Sequence, residues 1–178
     1  NLTLLGTGNF TGTGNAAANV LTGNAGANTL RGLAGNDRLL GVNGNDFIDG
    51  GIGNDVIDGG IGNDRLTGGL GRDTLTGGLG RDIFDFNFVN ESLRGALHDT
   101  VFFARTQGDK IDLATIDADT DGTAGNQAFR FIGASAFHGV DGELRFAGGL
   151  LQGDTDGDRI ADIEIRVIGA LLRADIIL

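Results

Sequence analysis

Six aspartates stand nine residues apart, at Asp37, Asp46, Asp55, Asp64, Asp73 and Asp82. Each closes a Gly-x-x-Gly-x-Asp stretch, which as a tight turn exposes several carbonyl oxygens and ends in one carboxylate. Two such turns brought together would surround a point with two carboxylates and several carbonyls. An all-oxygen cage of six or more ligands with flexible geometry suits Ca²⁺ better than Mg²⁺ or a transition metal. The chain has no Cys, which removes sulfur-built zinc sites, disulfides and thiolate nucleophiles.

A second acidic group, Asp154, Asp156, Asp158 and Asp162, follows a D-x-D-x-D-x-x-x-D spacing. Alternate acids on a tight loop converge on one ion in the front half of an EF-hand loop. Here Arg159 takes the place of the turn glycine, and Ile165 stands where the twelfth-position Glu would be. The loop is therefore a candidate fifth calcium site or a solvated acidic hairpin. A third run, from Asp117 to Gly122, lacks a later carboxylate at suitable spacing.

Catalytic patterns are missing. Zinc hydrolysis on a helix needs His-Glu-x-x-His, and neither His98 nor His138 begins one. Ser92 and Ser135 do not sit in a G-x-S-x-G elbow. The Asp pairs could imitate glycosidase carboxylates, but the cation reading already accounts for most of them. The chain reads as non-catalytic, with both histidines as surface or turn residues.

The elements that position the aspartates come from an unbroken nonapeptide repeat. From Gly32 to Asp85 the chain reads GLAGNDRLL, GVNGNDFID, GGIGNDVID, GGIGNDRLT, GGLGRDTLT and GGLGRDIFD. Position eight is always large and apolar: Leu39, Ile48, Ile57, Leu66, Leu75 and Phe84. Nine residues are too few for a helical unit but suffice for a short strand and a tight turn. Apolar residues at position eight suit a strand with one inward side chain. Two nonapeptides make one coil, so residues 18 apart stack in a parallel β-roll whose coils bury their apolar faces against each other.

The stacking pairs Asp37 with Asp55, Asp46 with Asp64, Asp55 with Asp73, and Asp64 with Asp82, giving four sites. The register runs back in degenerate form through Gly14–Thr22 and Gly23–Arg31, where Asn19 and Asn28 replace Asp. These could pair with Asp37 and Asp46 in weaker sites, since Asn offers a neutral oxygen. Asn1–Thr13 shows no clean register. At position three, Ile52, Ile61, Leu70 and Leu79 are expected to pack between stacked turns rather than to form a docking strip.

Composition agrees with this reading. The 178 residues carry 24 acids against 13 Lys and Arg, a net charge of −11, and all acids but Glu91, Glu143 and Glu164 are Asp. Glycine supplies 34 residues, well above the usual share of about 7%. The acidic balance argues against nucleic acid and anionic membrane surfaces as partners, and no apolar run approaches a membrane span. Without Met, the sequence is expected to be part of a longer protein whose upstream segment is not represented.

The repeat resembles the repeats-in-toxin (RTX) family, whose consensus GGxGxDxUx is matched from Gly50 to Asp85. The resemblance implies that carbonyls of positions one and three of one turn join those of positions two and four a coil away. The implied ligands are Gly32, Ala34, Gly51 and Gly53 with Asp37 and Asp55, and Gly41, Asn43, Gly60 and Gly62 with Asp46 and Asp64. Gly50, Ile52, Gly69 and Gly71 would join Asp55 and Asp73, and Gly59, Ile61, Gly78 and Gly80 would join Asp64 and Asp82. Leu33 and Val42 depart from the consensus glycine at position two but keep a carbonyl.

After Phe86 the period stops. Short apolar runs at Val101–Ala104, Ile111–Leu113, Phe129–Ile132, Glu143–Phe146, Ile163–Ile168 and Ile176–Leu178 read as strands. Asn90–Leu97 is a candidate short helix. The expected fold is all-β: a right-handed parallel roll over residues 1–86, continued and capped by an antiparallel sandwich over residues 87–178. The stretches GDKIDLATIDAD (108–119), GNQAFRFIGASAF (125–137), GELRF (142–146), GDTDGDRIADIEIRVIG (153–169) and the terminal ADIIL look like the C-terminal domain of serralysin metalloproteases.

That resemblance implies a secreted, calcium-folded module attached to an upstream domain and exported by a bacterial one-step (type I) machine. An acid followed by apolar residues, as in Asp175–Leu178, is the tail such machines read. The alternative is a glycan-binding or adhesin-type RTX module on a polysaccharide-modifying enzyme, although sugar stacking would here have to rely on Phe.

Overall fold

The computed structural model describes residues 1–119 and 126–178. Gly125, and Thr120 to Gly122 of the third acidic run, lie outside the described residues. Among the described residues every regular element is a strand or a single 3-10 turn.

The first half alternates strand and turn: β1 (Leu2–Thr3), β2 (Thr11–Thr13), β3 (Val20–Thr22), β4 (Thr29–Ala34) and β5 (Arg38–Asn43). It continues through β6 (Phe47–Ile52), β7 (Val56–Ile61), β8 (Arg65–Leu70), β9 (Thr74–Leu79) and β10 (Ile83–Asp85). Odd strands pair only with odd and even with even, all in parallel. The chain thus winds between two facing sheets. Even Asn1–Thr13, which has no clean sequence register, joins the winding: Leu2 pairs with Leu21 and Thr11 with Thr29.

Position eight supplies the core. Leu39 pairs with Ile57 and Ile57 with Leu75 in one sheet, while Ile48 pairs with Leu66 and Leu66 with Phe84 in the other. All six, with Leu21 and Leu30 before them, are fully buried. Each is worth about 1.5–3 kcal/mol in apolar burial, but only if its coil is covered above and below.

The roll does not end with the repeats. Strand β11 (Asp99–Phe102) pairs in parallel with β9, and β12 (Lys110–Asp112) pairs with β10, placing Val101 beside Leu75 and Ile111 beside Phe84. Arg65 reaches along this end to both oxygens of Asp85, at 2.7 and 3.0 Å. Beyond lie β13 (Arg130–Phe131), β14 (Glu143–Ala147), β15 (Leu150–Asp154), β16 (Ile163–Ile168) and β17 (Ile176–Ile177). Among the described strands antiparallel pairing joins β14, β15 and β16, with one isolated antiparallel bridge between Leu93 and Ile163, and β16 returns parallel to β11. On the other side β17 extends the second sheet parallel to β12. The cap therefore grows from the same two sheets, of ten and seven strands.

Strand β15 follows Gly148 and Gly149, whose positive φ turns the chain back on β14; its mixed LLQGD sequence gave no clear signal. Asn90–Leu97 is not an α-helix. It overlaps two 3-10 turns, Val89–Glu91 and Gly95–Leu97, and Gly95, at φ 84° where the second begins, prevents a continuous helix. His98 is more enclosed than a surface residue, with Nδ1 at 3.1 Å from Glu164. His138 is exposed, with Nδ1 at 2.9 Å from the buried Glu143.

Position two of the turns requires left-handed backbone. Gly51, Gly60, Gly69 and Gly78 sit at φ 96–106°, and Leu33 and Val42 are held at 82° and 85° in the same register. Such strain costs about 1–3 kcal/mol, more for a β-branched side chain. Val42→Gly relieves it and gives back about 0.5–1 kcal/mol in chain entropy. The variant is expected to be more stable by about 1 kcal/mol, read as a higher denaturation midpoint at saturating calcium. An unchanged or lower midpoint would show that position two carries no strain.

Candidate metal centre

The turns between the two sheets collect the aspartates into two ranks. Asp37, Asp55 and Asp73 line one edge of the roll, and Asp46, Asp64 and Asp82 line the other. Within a rank each carboxylate is tied to the coil before it. Asp55 Oδ1 accepts the Asp37 N–H at 2.7 Å, Asp73 that of Asp55 at 2.7 Å, Asp64 that of Asp46 at 2.7 Å, and Asp82 that of Asp64 at 2.9 Å. The expected 18-residue stacking is thus present, and the predicted pairs are brought together.

The second oxygen carries the chemistry. Oδ2 of each of these six aspartates is buried and has no hydrogen-bond partner. A Cβ built on Gly59 would overlap Asp64 Oδ2 and lie 2.6 Å from the Gly77 carbonyl oxygen. Each carboxylate therefore folds over the first glycine of its own turn, and Asp37, Asp46, Asp55 and Asp64 do so beside the first carbonyl of the next coil. Asp55 faces the Gly68 carbonyl in the same way. Gly68 and Gly77 fall outside the ligand set implied by the family resemblance.

Some implied ligands already have partners. The Ile52 and Ile61 carbonyls accept the Gly35 and Gly44 N–H groups at 2.8 Å, and the Gly78 carbonyl accepts Gln107 Nε2 at 3.0 Å. A carbonyl has a second lone pair, so these bonds leave room for a cation. Ile52, Ile61 and Leu79 remain more than half exposed despite stacking on their in-register neighbours. Packing between turns therefore covers only part of each.

Burial makes Asp46, Asp55, Asp64, Asp73 and Asp82 resist ionisation. It pushes Asp55 and Asp82 up to about 6, and Asp64 and Asp73 up to about 7. Backbone N–H bonds pull each down, and neighbouring carboxylates push each further up. Buried, oxygen-only, negatively charged and unpartnered groups in rows are the donor set of a hard divalent cation.

The degenerate coils are built differently. Asn19 Oδ1 accepts the Asn15 N–H at 2.7 Å, and Asn28 Oδ1 accepts that of Asn24 at 2.8 Å. Both also join the ladder through their own N–H groups, to Asp37 and Asp46. Each Asn oxygen accepts a hydrogen bond within its own turn, so these coils carry no rank carboxylate with an unpartnered oxygen of their own.

At the loop after β15, carboxylate oxygens of Asp154, Asp156 and Asp162 lie within 4.8 Å of one another. Asp158 is not part of this group; its Oδ1 accepts the Ile160 N–H at 2.7 Å. Both Asp154 oxygens accept backbone N–H groups, from Gly157 and Arg159, and Asp162 Oδ2 accepts the N–H and hydroxyl of Thr155. Arg159, where a glycine was expected, adopts φ 71°. Hydrogen bonds thus organise this loop, unlike the roll turns. Within the third run, Asp117 accepts the Asp119 and Gln127 N–H groups.

Two further members of the ranks escaped the sequence reading. Asp73 N–H donates to Asp99 Oδ1 at 2.7 Å, and Asp82 N–H to Asp109 Oδ1 at 3.2 Å. Their separations, 26 and 27 residues, break the 18-residue step. A signal did exist: Asp99-Thr-Val101 and Asp109-Lys-Ile111 keep the spacing of positions six and eight without the preceding glycines.

Comparison with known proteins bears on the repeats. No curated protein matches the chain. Among solved structures, the chain is similar to the solution structure of the AlgE6R3 subunit from the Azotobacter vinelandii mannuronan C5-epimerase. The identity is 24% over 93% of this chain and 82% of that one, with a TM-score of 0.42. Residues 13–48, 34–66 and 49–84 match the family described as RTX calcium-binding nonapeptide repeat (4 copies). The turns that gather unpartnered carboxylates at the edges of this parallel β-roll are RTX calcium-binding repeats.

Proposed function

We propose that this chain is a non-catalytic module that folds on calcium outside the cell and exports an upstream domain through a C-terminal signal. The observation that carries the calcium part is the two ranks of buried, unpartnered Asp Oδ2 atoms. Asp37, Asp46, Asp55, Asp64, Asp73 and Asp82, with the turn carbonyls, would hold the ions. Bound calcium supplies the positive charge that offsets these carboxylates. Sites of extracellular modules fill at about 0.1–1 mM, so the roll stays open in the cytosol and closes outside.

The export part rests on the tail. Asp175 accepts Arg105 Nε at 3.1 Å and the Leu172 N–H at 2.9 Å, and Ile176 and Ile177 form the edge strand β17. In the folded chain this tail is engaged, so an exporter can read it only before folding. Among the described residues no helix is long and apolar enough to cross a membrane.

The test is release of a passenger fused upstream of residues 1–178 in a host with a type I exporter. Deleting Asp175–Leu178 is expected to abolish release, and raising external calcium to increase it. Equal release of the truncated fusion would overturn the export role.

A further inference from the structure

The two ranks of carboxylates leave the repeats in different ways. On one edge Asp109 follows Asp82, and its Oδ2 accepts the Ala104 N–H at 2.8 Å. The Gln107 amide beside it clamps the turn, accepting the Gly80 N–H at 2.8 Å and donating to the Gly78 carbonyl. At this end both Asp109 oxygens are satisfied by the protein's own hydrogen bonds, and Asp82 Oδ2 alone is left without a partner.

The other edge stays open. Asp99 begins β11, which takes the register on β9 that β9 takes on β7. Its Oδ1 meets the Asp73 N–H at the 2.7 Å found within the repeats. Asp73 and Asp99 are both fully buried, and Oδ2 of each has no hydrogen-bond partner. The ladder stops one step later. The Asp99 N–H donates to Ser92 Oγ at 2.8 Å, and that hydroxyl donates to the Glu164 carbonyl at 2.6 Å. A neutral hydroxyl stands where another carboxylate would continue the rank. Asp99 is thus the last acid of this edge, and two buried carboxylate oxygens at its end have no hydrogen-bond donor. An uncompensated buried charge is among the costliest features a fold can carry.

Resting on the reading that the repeats bind calcium, we propose that Asp73 and Asp99 hold a further calcium ion beyond the repeats, whereas the Asp82–Asp109 end holds none. This ion would join the repeat array to the first strand of the C-terminal half.

The proposal is tested on the whole chain by counting bound calcium with native mass spectrometry. Asp99→Asn keeps an oxygen for the Asp73 N–H and is expected to lose one ion, while Asp109→Asn loses none. A folded Asp99→Asn chain with the wild-type count would overturn the proposal, as would an ion lost from Asp109→Asn. Should Asp99→Asn fail to fold, anomalous diffraction from wild-type crystals grown in calcium decides. A peak between Asp73 and Asp99 supports the site, and peaks confined to the repeats refute it. An absence of calcium from every turn would overturn both this site and the calcium reading of the repeats.

Discussion

With calcium chelated at pH 8, residues 1–178 are expected to lose most of their β-sheet circular dichroism, and millimolar calcium is expected to restore it. The expectation follows from what each nonapeptide contributes. One fully buried aliphatic side chain, such as Ile57, gives about 1.5–3 kcal/mol. The same unit buries one carboxylate, such as Asp55, with an oxygen that nothing in the protein satisfies. A buried, unpaired ion costs several kcal/mol even after relaxation. Ordering the backbone adds about 1–2 kcal/mol per residue. The carboxylate therefore cancels the core residue of its own unit, and a net charge of −11 adds repulsion among coils. Calcium reverses that balance through RT ln(1 + [L]/Kd), about 2.7 kcal/mol per site at a hundredfold excess. Because each coil is covered only by its neighbours, the transition should be steep in calcium. A full β spectrum in chelator at pH 8 would show that the carboxylates are tolerated without a cation.

The roll was legible because its two periodicities are written without interruption. Position eight named every core residue from Leu39 to Phe84, and position six named every ladder carboxylate from Asp37 to Asp82. Legibility failed where spacing changed but geometry did not. Asp99 and Asp109 continue the ranks after insertions that a fixed period cannot cross. The hydrogen bonds made by the candidate ligands were also invisible, because they depend on which N–H groups the fold delivers. Asn19 and Asn28 use their oxygens at home, and Asp154 and Asp162 spend theirs on loop N–H groups. An acidic spacing alone does not separate such loops from turns whose oxygens remain unpartnered. In the cap, strand runs such as Ile163–Ile168 were evident. The continuation of both sheets from roll to cap depends on pairings far apart in sequence, such as Val101 with Val167.

Acidification in the absence of calcium is expected to fold the chain, opposite to the usual acid denaturation. Ordinary native carboxylates are paired, so their folded pKa is depressed and acid destabilises. Here burial raises Asp55 and Asp82 to about 6, Asp64 and Asp73 to about 7 and Asp99 to about 9, from 3.8. Between the unfolded and folded values the folded roll binds more protons than the open chain, so its stability falls as pH rises. The stabilisation is complete below about 3.8 and is lost as pH climbs through 6 to 7, with the Asp99 contribution persisting toward 9. In chelator, β structure should therefore increase between pH 8 and pH 5, with net proton uptake on folding. With calcium present the dependence inverts for binding. Ligating carboxylates must be ionised, so the calcium midpoint should rise as pH falls. Circular dichroism at pH 5 and pH 8, with and without chelator, separates the two arms. A chelated chain with less β structure at pH 5 than at pH 8 would mean that something other than the buried carboxylates opposes the calcium-free fold. These two opposed pH trends together would identify protons and calcium as alternative neutralisers of the same two ranks of oxygens.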